Sequence, residues 1–296
     1  MVVNFSQPEM KIKIYIIVLM SVLISACTEP IDIDLNSIPP RLVVDGSITP
    51  DTMAHRLLLT RTTDYYNPDL SDIGISGATV YVKEGDNIHY YTESPIQKGL
   101  YISDSNFYGV EGNTYTLYIS NVDIDNDSVP EEYTAEETMP YIFARLDSVT
   151  AFHGPGLPPL FEMYEGTGWN IRLWGQDPPE TREFYGFMLT VNDTSYDAYL
   201  LEMFRISDDM FNGVYITGLA LYFFNDKGIH PLHEGDRILL EGVSITPEFN
   251  TYLTMLNNIG GIPLFGGPPS NVTGNISGGA LGYFSVYSNR KAKTIL

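Results

Sequence analysis

The sequence predicts an all-β protein arranged as two β-sandwich-like domains, with one short helix in the second. Three observations carry this expectation. Tyrosine (21) and phenylalanine (14) are plentiful while charged residues make up only 18% of the chain, a mixture suited to pleated, half-buried surfaces rather than helical bundles. Short runs of period-two alternation recur, as in Tyr115-Thr116-Leu117-Tyr118-Ile119, which places one face inward. Turn-forming residues punctuate the runs, among them Asp45-Gly46, Asn67-Pro68, Gly85-Asp86-Asn87 and Glu111-Gly112-Asn113.

Taken in order, the first domain is expected over 41–135, with strands at 41–48, 55–62, 78–83, 89–93, 99–102 and 114–119. Strands at that spacing suit a sandwich of about 100 residues. The acidic loop 123–132 follows, and 133–138 leads across to a second domain over 140–290. There, strands are expected at 144–152, 168–175, 183–191, 214–224 and 237–246. A helix at 247–257 has Thr246 as N-cap, Pro247 at its first position and Phe249, Leu253 and Leu256 on one face. It should stop near Asn257-Asn258, before Gly260-Gly261. A last strand is expected at 281–287. The Pro- and Gly-rich stretch 154–164 reads as a long loop. The stretch 263–279, which holds Phe265, either packs under the helix or offers a partner-docking edge, with Phe265 as the candidate docking residue.

The N-terminus points to export. Lys11 and Lys13 precede an apolar run from Ile14 to Ile24, about a dozen residues where a membrane span needs roughly 20. The run ends in Ile24-Ser25-Ala26-Cys27, which resembles the lipobox of lipoprotein signal peptidase: small residues fit a narrow protease pocket, and Cys27 supplies the thiol for lipidation. Residues 1–26 are therefore expected to be a signal peptide, with Met10 a possible true start, and 27–40 a lipidated tether. Acyl chains on Cys27, palmitate among them, would hold the protein on a membrane, each buried CH₂ contributing about 0.8 kcal/mol. The bland alternative is a buried cysteine in an N-terminal helix. Cys27 is the only cysteine, so no internal disulfide can form and the core must supply the stability. Asp32 and Asp34, behind Glu29, resemble the export signal that sends Bacteroidota lipoproteins to the cell surface.

The chain carries 16 basic and 37 acidic residues, a net charge of −21. Such a surface repels phosphate backbones and anionic headgroups, which argues against nucleic-acid partners and against electrostatic membrane binding. Solubility beside a negatively charged cell surface is the simplest reading; attraction of cations or basic peptides is the alternative.

No catalytic constellation, cofactor motif or complete metal motif stands out. His230-Pro231-Leu232-His233-Glu234 offers two imidazoles and a carboxylate, but Pro231 and Gly235-Asp236 indicate a hairpin loop, and a catalytic zinc would need a third, distant ligand. Asp123-Ile124-Asp125-Asn126-Asp127 imitates the start of a calcium loop, yet Ser128 stands where an EF-hand needs glycine and Thr134 where it needs a bidentate glutamate. Ser244 and Ser270 have no nucleophile-elbow motif around them, and a serine nucleophile needs a base and an orienting acid. Trp169, Trp174, Tyr185 and Phe187 would either stack on a flat ligand or simply fill the core.

The lipobox, Leu42-Val43-Val44-Asp45-Gly46-Ser47-Ile48, Ser76-Gly77-Ala78-Thr79-Val80, Gly112-Asn113-Thr114-Tyr115-Thr116-Leu117, and the run from Pro268-Pro269-Ser270 through Asn275-Ile276-Ser277-Gly278-Gly279-Ala280-Leu281-Gly282-Tyr283-Phe284 together resemble a Bacteroidota lipoprotein family filed as domain of unknown function 4249. The C-terminal run is the most specific of these. Segments 75–82 and 99–101 are also similar to small immunoglobulin-like domains of Bacteroidota surface proteins. The family resemblance implies an outer-membrane lipoprotein, often encoded beside a TonB-dependent receptor, and brings no catalytic residues. The expectation is thus a surface-facing, non-catalytic accessory or ligand-binding partner of a TonB-dependent uptake system. A structural or adhesive surface module is the alternative, and a hydrolase the least supported.

Overall fold

A computed structural model describes residues 39–63, 70–125, 127–142, 145–156, 166–179, 182–196, 200–259 and 272–296. The described chain is all-β with one α-helix. The strands are β1 (Leu42–Ile48), β2 (Arg56–Arg61), β3 (Thr79–Glu84), β4 (Asn87–Glu93), β5 (Leu100–Ile102), β6 (Thr114–Val122), β7 (Glu131–Thr138), β8 (Arg145–Pro155), β9 (Thr167–Gln176), β10 (Phe184–Val191), β11 (Thr194–Ser195), β12 (Phe204–Ser207), β13 (Tyr215–Asn225), β14 (Arg237–Ile245), β15 (Leu281–Val286) and β16 (Ser288–Ile295), and the helix α1 is Pro247–Ile259.

The first sheet runs β15-β1-β2-β5-β4-β3-β6-β7. Its strands fold over one another around a single core. Leu42, Val44, Ile48, Leu57 and Leu59 from one leaf meet Val80, Val82, Tyr115, Leu117 and Ile119 from the other. Strand β4 joins the leaves, since its residues 87–91 pair with β3 and Thr92 and Glu93 pair with β5. Alternation fixes the faces: in β1, Leu42, Val44 and Ile48 are buried while Asp45 faces out. The expected turn at Gly85-Asp86 is present, Gly85 taking the positive φ of a two-residue hairpin. The one expected at Asp45-Gly46 is not. Gly46 lies inside β1 between Leu57 and Phe284, and a Cβ there would meet the Leu57 side chain at 2.8 Å, so the glycine serves close packing.

A second core lies between the three-stranded sheet β13-β9-β8 and the five-stranded sheet in which β10 pairs with β11, β12 and β14, and β14 with β16. Ile171, Leu173 and Leu221 pack against Tyr185, Phe187, Leu189, Ile238 and Leu240. Helix α1 begins as expected: Thr246 Oγ1 accepts the Phe249 N–H at 3.1 Å, satisfying one of the free N-terminal donors. Its apolar face, Phe249 and Leu253, packs with Val243, Ile245, Met203, Tyr283 and Tyr287 in a third cluster. Val243 and Ile245 point to the opposite face of β14 from Ile238 and Leu240, so this cluster covers the back of the second sandwich with side chains that belong to both halves.

Three sequence expectations need correction here. Residues 133–138 are not a crossing segment but most of β7, the outer strand of the first sheet. The strand at 281–287 is not the last: β16 follows after Tyr287 alone. The boundary near 140 does not separate 41–135 from 140–290, because β15 pairs in parallel with β1 over Val43↔Leu281 to Ile48↔Val286, whereas β16 pairs with β14. One extended segment therefore supplies a strand to each sheet, and the Tyr287 N–H donates to Ile48 O at 3.1 Å where it crosses. Beside the crossing, Asn289 Nδ2 donates to Asp51 Oδ2 (2.9 Å) and Glu241 Oε1 (2.7 Å).

Edge strands β7 and β15 of the first sheet are brought together by Glu137 of β7. Its Oε2 accepts the Val286 N–H (2.6 Å), and its Oε1 accepts from the Tyr283 hydroxyl (3.1 Å) and from Thr246 Oγ1. Burial pushes this carboxyl up to about 7 from 4.5, against the lowering effect of its three donors. As pH rises from about 4.5 to about 7, the unfolded chain releases this proton while the folded chain keeps it, so the contribution of Glu137 to stability falls across that window and is level above it. Glu137→Gln should flatten this part of the pH dependence, measured as denaturant midpoints at pH 5 and pH 8; identical profiles for the two proteins would contradict the assignment. Glu137→Leu, which strands the buried Val286 N–H and Tyr283 hydroxyl, should cost on the order of 1–3 kcal/mol for each unsatisfied group.

Candidate functional site

The period-two pattern that buries Val80, Val82, Leu117 and Ile119 turns the residues between them outward. Tyr81 of β3 therefore stands between Tyr90 of β4 and Tyr118 of β6 as a direct cross-strand neighbour of both. The Tyr81 and Tyr118 rings stack at 4.9 Å with 13° between their planes. Tyr81 and Tyr90 are 5.7 Å apart at 51°. Lys83 Nζ lies 4.9 Å from the Tyr118 ring centre, within cation–π range. Tyr90 is 64% exposed and Tyr81 and Tyr118 are half-buried, so the row lies on the outer face and is open at its Tyr90 end.

Of the row only Tyr90 also lines a cleft of ≈ 680 Å³, together with Glu84, Ile88, His89, Phe107 and Tyr108 among others; His89, paired with Val82, lies on the opposite face of β4 from Tyr90. The cleft floor is rigid. The His89 ring stacks on Phe107 at 3.9 Å, and Phe107 is backed by His55 edge-on at 5.1 Å. Burial lowers the pKa of His55. Glu84 accepts from Asn113 Nδ2 (2.6 Å) and the Tyr115 hydroxyl (2.9 Å) through Oε1, while Oε2 faces His89 Nε2 at 3.3 Å. An imidazole–carboxylate pair can orient a nucleophile, but no serine, threonine or cysteine is among the cleft's described lining residues. The lining is mixed, with Asn87, Asp104 and Asn106 standing beside the rings of Tyr90 and Tyr108, so the cleft suits a polar ligand that also has a ring face.

Sequence reasoning pointed to a different aromatic group, and the structure divides it. Tyr185 and Phe187 are fully buried on β10. The Tyr185 hydroxyl donates to Asp177 Oδ1 at 2.8 Å. Trp174 Nε1 donates to Thr150 Oγ1 at 2.8 Å, and Trp169 lies edge-on to His153 at 5.1 Å. Of the two readings of this group, core filling holds for Tyr185 and Phe187.

His230 and His233 do share a cleft, of ≈ 480 Å³, with Tyr196, Phe224, Asn192 and Asp236. His233 sits in the expected hairpin loop, its N–H donating to Asp236 Oδ2 at 2.7 Å, and no three-ligand group among the described residues includes either histidine. The acidic loop places Asp123, Asp125 and Asp127 with carboxylate oxygens within 4.8 Å of one another. Ser128 takes a φ of 70° there, the backbone form for which an EF-hand uses glycine. Thr134, at the twelfth position, is held in β7 with its Oγ1 bonded to Ser277 Oγ at 3.1 Å. Ser244 is fully buried in β14. Cys27, Phe265 and Ser270 lie outside the described residues.

The tyrosine row was not found from sequence because its members sit on three strands, and only the register of pairing brings them together. Tyr90→Ala and Tyr108→Ala remove exposed rings and should shift stability by no more than about 0.5 kcal/mol. Tyr185→Phe takes a donor from buried Asp177 and should cost about 1–3 kcal/mol. Urea unfolding of the three variants checks the contrast; equal losses would mean that the exposed rings of Tyr90 and Tyr108 are structural.

No curated protein sequence matches the chain. The family model described as "Domain of unknown function (DUF4249)" matches residues 28–293, so almost the whole chain lies within it, and the protein belongs to this family of unknown function.

Proposed function

We propose that this protein is a lipid-anchored outer-membrane lipoprotein of Bacteroidota, facing the cell surface, that acts without catalysis as a ligand-binding partner of a TonB-dependent receptor. The observation that carries the reading is the lipobox Ile24-Ser25-Ala26-Cys27 standing directly ahead of the family match, which begins at residue 28. A leader removed at Cys27 would leave a mature chain that coincides with the family domain. The acidic residues behind Cys27 fit surface export, and the outward tyrosine row and the cleft that Tyr90 shares with Tyr108 offer places for a ligand with ring faces. The receptor partnership comes from family resemblance, an association and not a derivation from the site. Anchoring both partners in one membrane raises their effective concentration to about the millimolar range, so a weak contact between them would suffice.

The test is made in intact cells. Cys27→Ala should abolish lipid labelling and release the protein from the membrane fraction. The wild type should crosslink to an outer-membrane receptor, and the Tyr90→Ala/Tyr108→Ala double variant should lose ligand-dependent uptake without losing abundance. Membrane retention of Cys27→Ala with an unchanged processed mass, absence of any outer-membrane crosslink, or turnover of a substrate by the purified protein would each overturn the reading.

A further inference from the structure

The cleft that Tyr90 shares with Tyr108 has two walls. One is the β3–β4 hairpin, which supplies Glu84, Asn87 and Tyr90; the other is the connection between β5 and β6, which supplies Asp104, Asn106 and Tyr108. The second wall is held by its buried centre. Phe107 is 4% exposed and stacks on His89, which leaves its neighbours Asn106 and Tyr108 exposed. The backbone around it is tied down. Phe107 O accepts the Met53 N–H at 3.1 Å, Gly109 donates its N–H to Thr49 O at 2.8 Å, and the Val110 N–H donates to the Tyr115 hydroxyl at 2.7 Å. Groups carried on so fixed a wall lose little freedom when a ligand arrives.

The chemistry of the lining sorts its ligands. Glu84 is engaged inside the protein by Asn113, the Tyr115 hydroxyl and His89. Asp104 accepts the Asn106 N–H through Oδ1 at 2.8 Å, and no described residue bonds its Oδ2. The side-chain amides of Asn87 and Asn106 are likewise bonded by no described residue, so each offers two donors and an acceptor. No lysine or arginine is among the cleft's described lining residues, and the chain carries a net charge of −21, so an anionic ligand is repelled. A flat apolar ligand would cover the rings but strip water from the amides without replacing it. An amine would meet one open carboxylate oxygen in exposed surroundings, a weak contact. A saturated sugar ring meets each requirement: its C–H face can lie against a tyrosine ring, and its rim of hydroxyls both donates and accepts.

We infer that this cleft binds an uncharged oligosaccharide, with Asn87, Asp104 and Asn106 taking the hydroxyls and Tyr90 and Tyr108 the ring faces. Its ≈ 680 Å³ falls within the range of about 300–1,000 Å³ usual for small-ligand sites. Tyr90 is 5.7 Å from Tyr81, so a further sugar ring leaving the cleft has the tyrosine row beside it. The inference rests on the reading of the protein as a ligand-binding partner and adds the class of the ligand.

The experiment titrates the purified full-length protein, in detergent, with a calorimetric panel of oligosaccharides. Maltohexaose, cellohexaose, xylohexaose and mannohexaose are the uncharged members, and hexagalacturonate is the acidic counterpart. At least one uncharged member should bind, and hexagalacturonate should not. Asp104→Ala and Tyr108→Ala should each weaken that binding about tenfold, the loss of one charge-assisted hydrogen bond or one ring contact. Asn106→Ala gives a second polar readout should Asp104→Ala fail to accumulate. Tyr196→Ala, an exposed tyrosine of the other cleft, should leave the affinity unchanged. Binding of no uncharged member, equal binding of hexagalacturonate, or unchanged binding by Tyr90→Ala/Tyr108→Ala would overturn the proposal. Those results leave the receptor partnership standing if the double variant still loses uptake in cells. Saccharide binding without any receptor crosslink would instead overturn the partnership and keep the ligand class.

Discussion

The architecture depends on the return of residues 281–295 to the beginning of the chain. Strand β15 completes the first sheet by pairing with β1 across a sequence separation of more than 230 residues. One residue later the same segment completes the second sheet as β16. Closing so long a loop is entropically less severe than it looks, because the cost grows only with the logarithm of length, about 0.6 kcal/mol per doubling. The kinetic burden is greater, since contacts this distant in sequence form slowly. Once made, the pairing leaves the two sandwiches little freedom to move as independent domains. The third apolar cluster, in which Tyr283 contacts both Phe249 and Tyr252 at 4.8–4.9 Å, fills the seam that the crossing segment creates.

Closure of the first sheet explains residues that would otherwise look idle. Asn275 imitates a peptide unit: its Nδ2 donates to Phe284 O at 2.8 Å and its Oδ1 accepts the Phe284 N–H at 3.0 Å. Ser277 donates its N–H to Thr134 O, and its Oγ accepts the Thr134 N–H at 2.7 Å. Gly282 has a φ of 89°, and a Cβ there would meet Val44 O at 1.9 Å, so only glycine permits the parallel approach to β1. With Glu137, these residues cover the open edges of β7 and β15, the kind of edge that otherwise invites pairing with other chains.

The sequence disclosed elements well and partnerships poorly. Hydrophobic alternation located β1 to β6, β8 to β10, β13 and β14, and Thr246-Pro247 located the helix start, because these signals are local. Strand β16, Ser-Asn-Arg-Lys-Ala-Lys-Thr-Ile, was not legible: the apolar Ile295 faces out, Lys291 and Lys293 are exposed, and the inward positions hold Ser288, Asn289 and the small Ala292, so no apolar alternation marks it. Strand β7 was mistaken for a connection because Glu131, Glu132, Glu136 and Glu137 obscure an inward face of Tyr133 and Ala135. The cleft residues share no spacing motif, since the walls come from the β3–β4 hairpin and the β5–β6 connection. The same limit hid the tyrosine row, whereas the aromatic group that sequence did single out lies along two strands whose alternation sends much of it into the core.

This division of labour bears on where function should be sought. The C-terminal run from Asn275 to Phe284, the most specific part of the family resemblance, is taken up with closure: Asn275 with Phe284, Ser277 with Thr134, Gly279 accepting from Arg41, and Gly282 against Val44. A side chain held in two backbone hydrogen bonds, or a glycine pressed against a carbonyl, has no capacity left for a ligand. Family membership so defined specifies the fold and leaves the ligand open. The outward faces of β3, β4 and β6 carry no such obligation, because their inward neighbours already satisfy the core. Three tyrosines in register with a lysine above them are a feature the fold does not require, so this face is where the proposed ligand should be sought first.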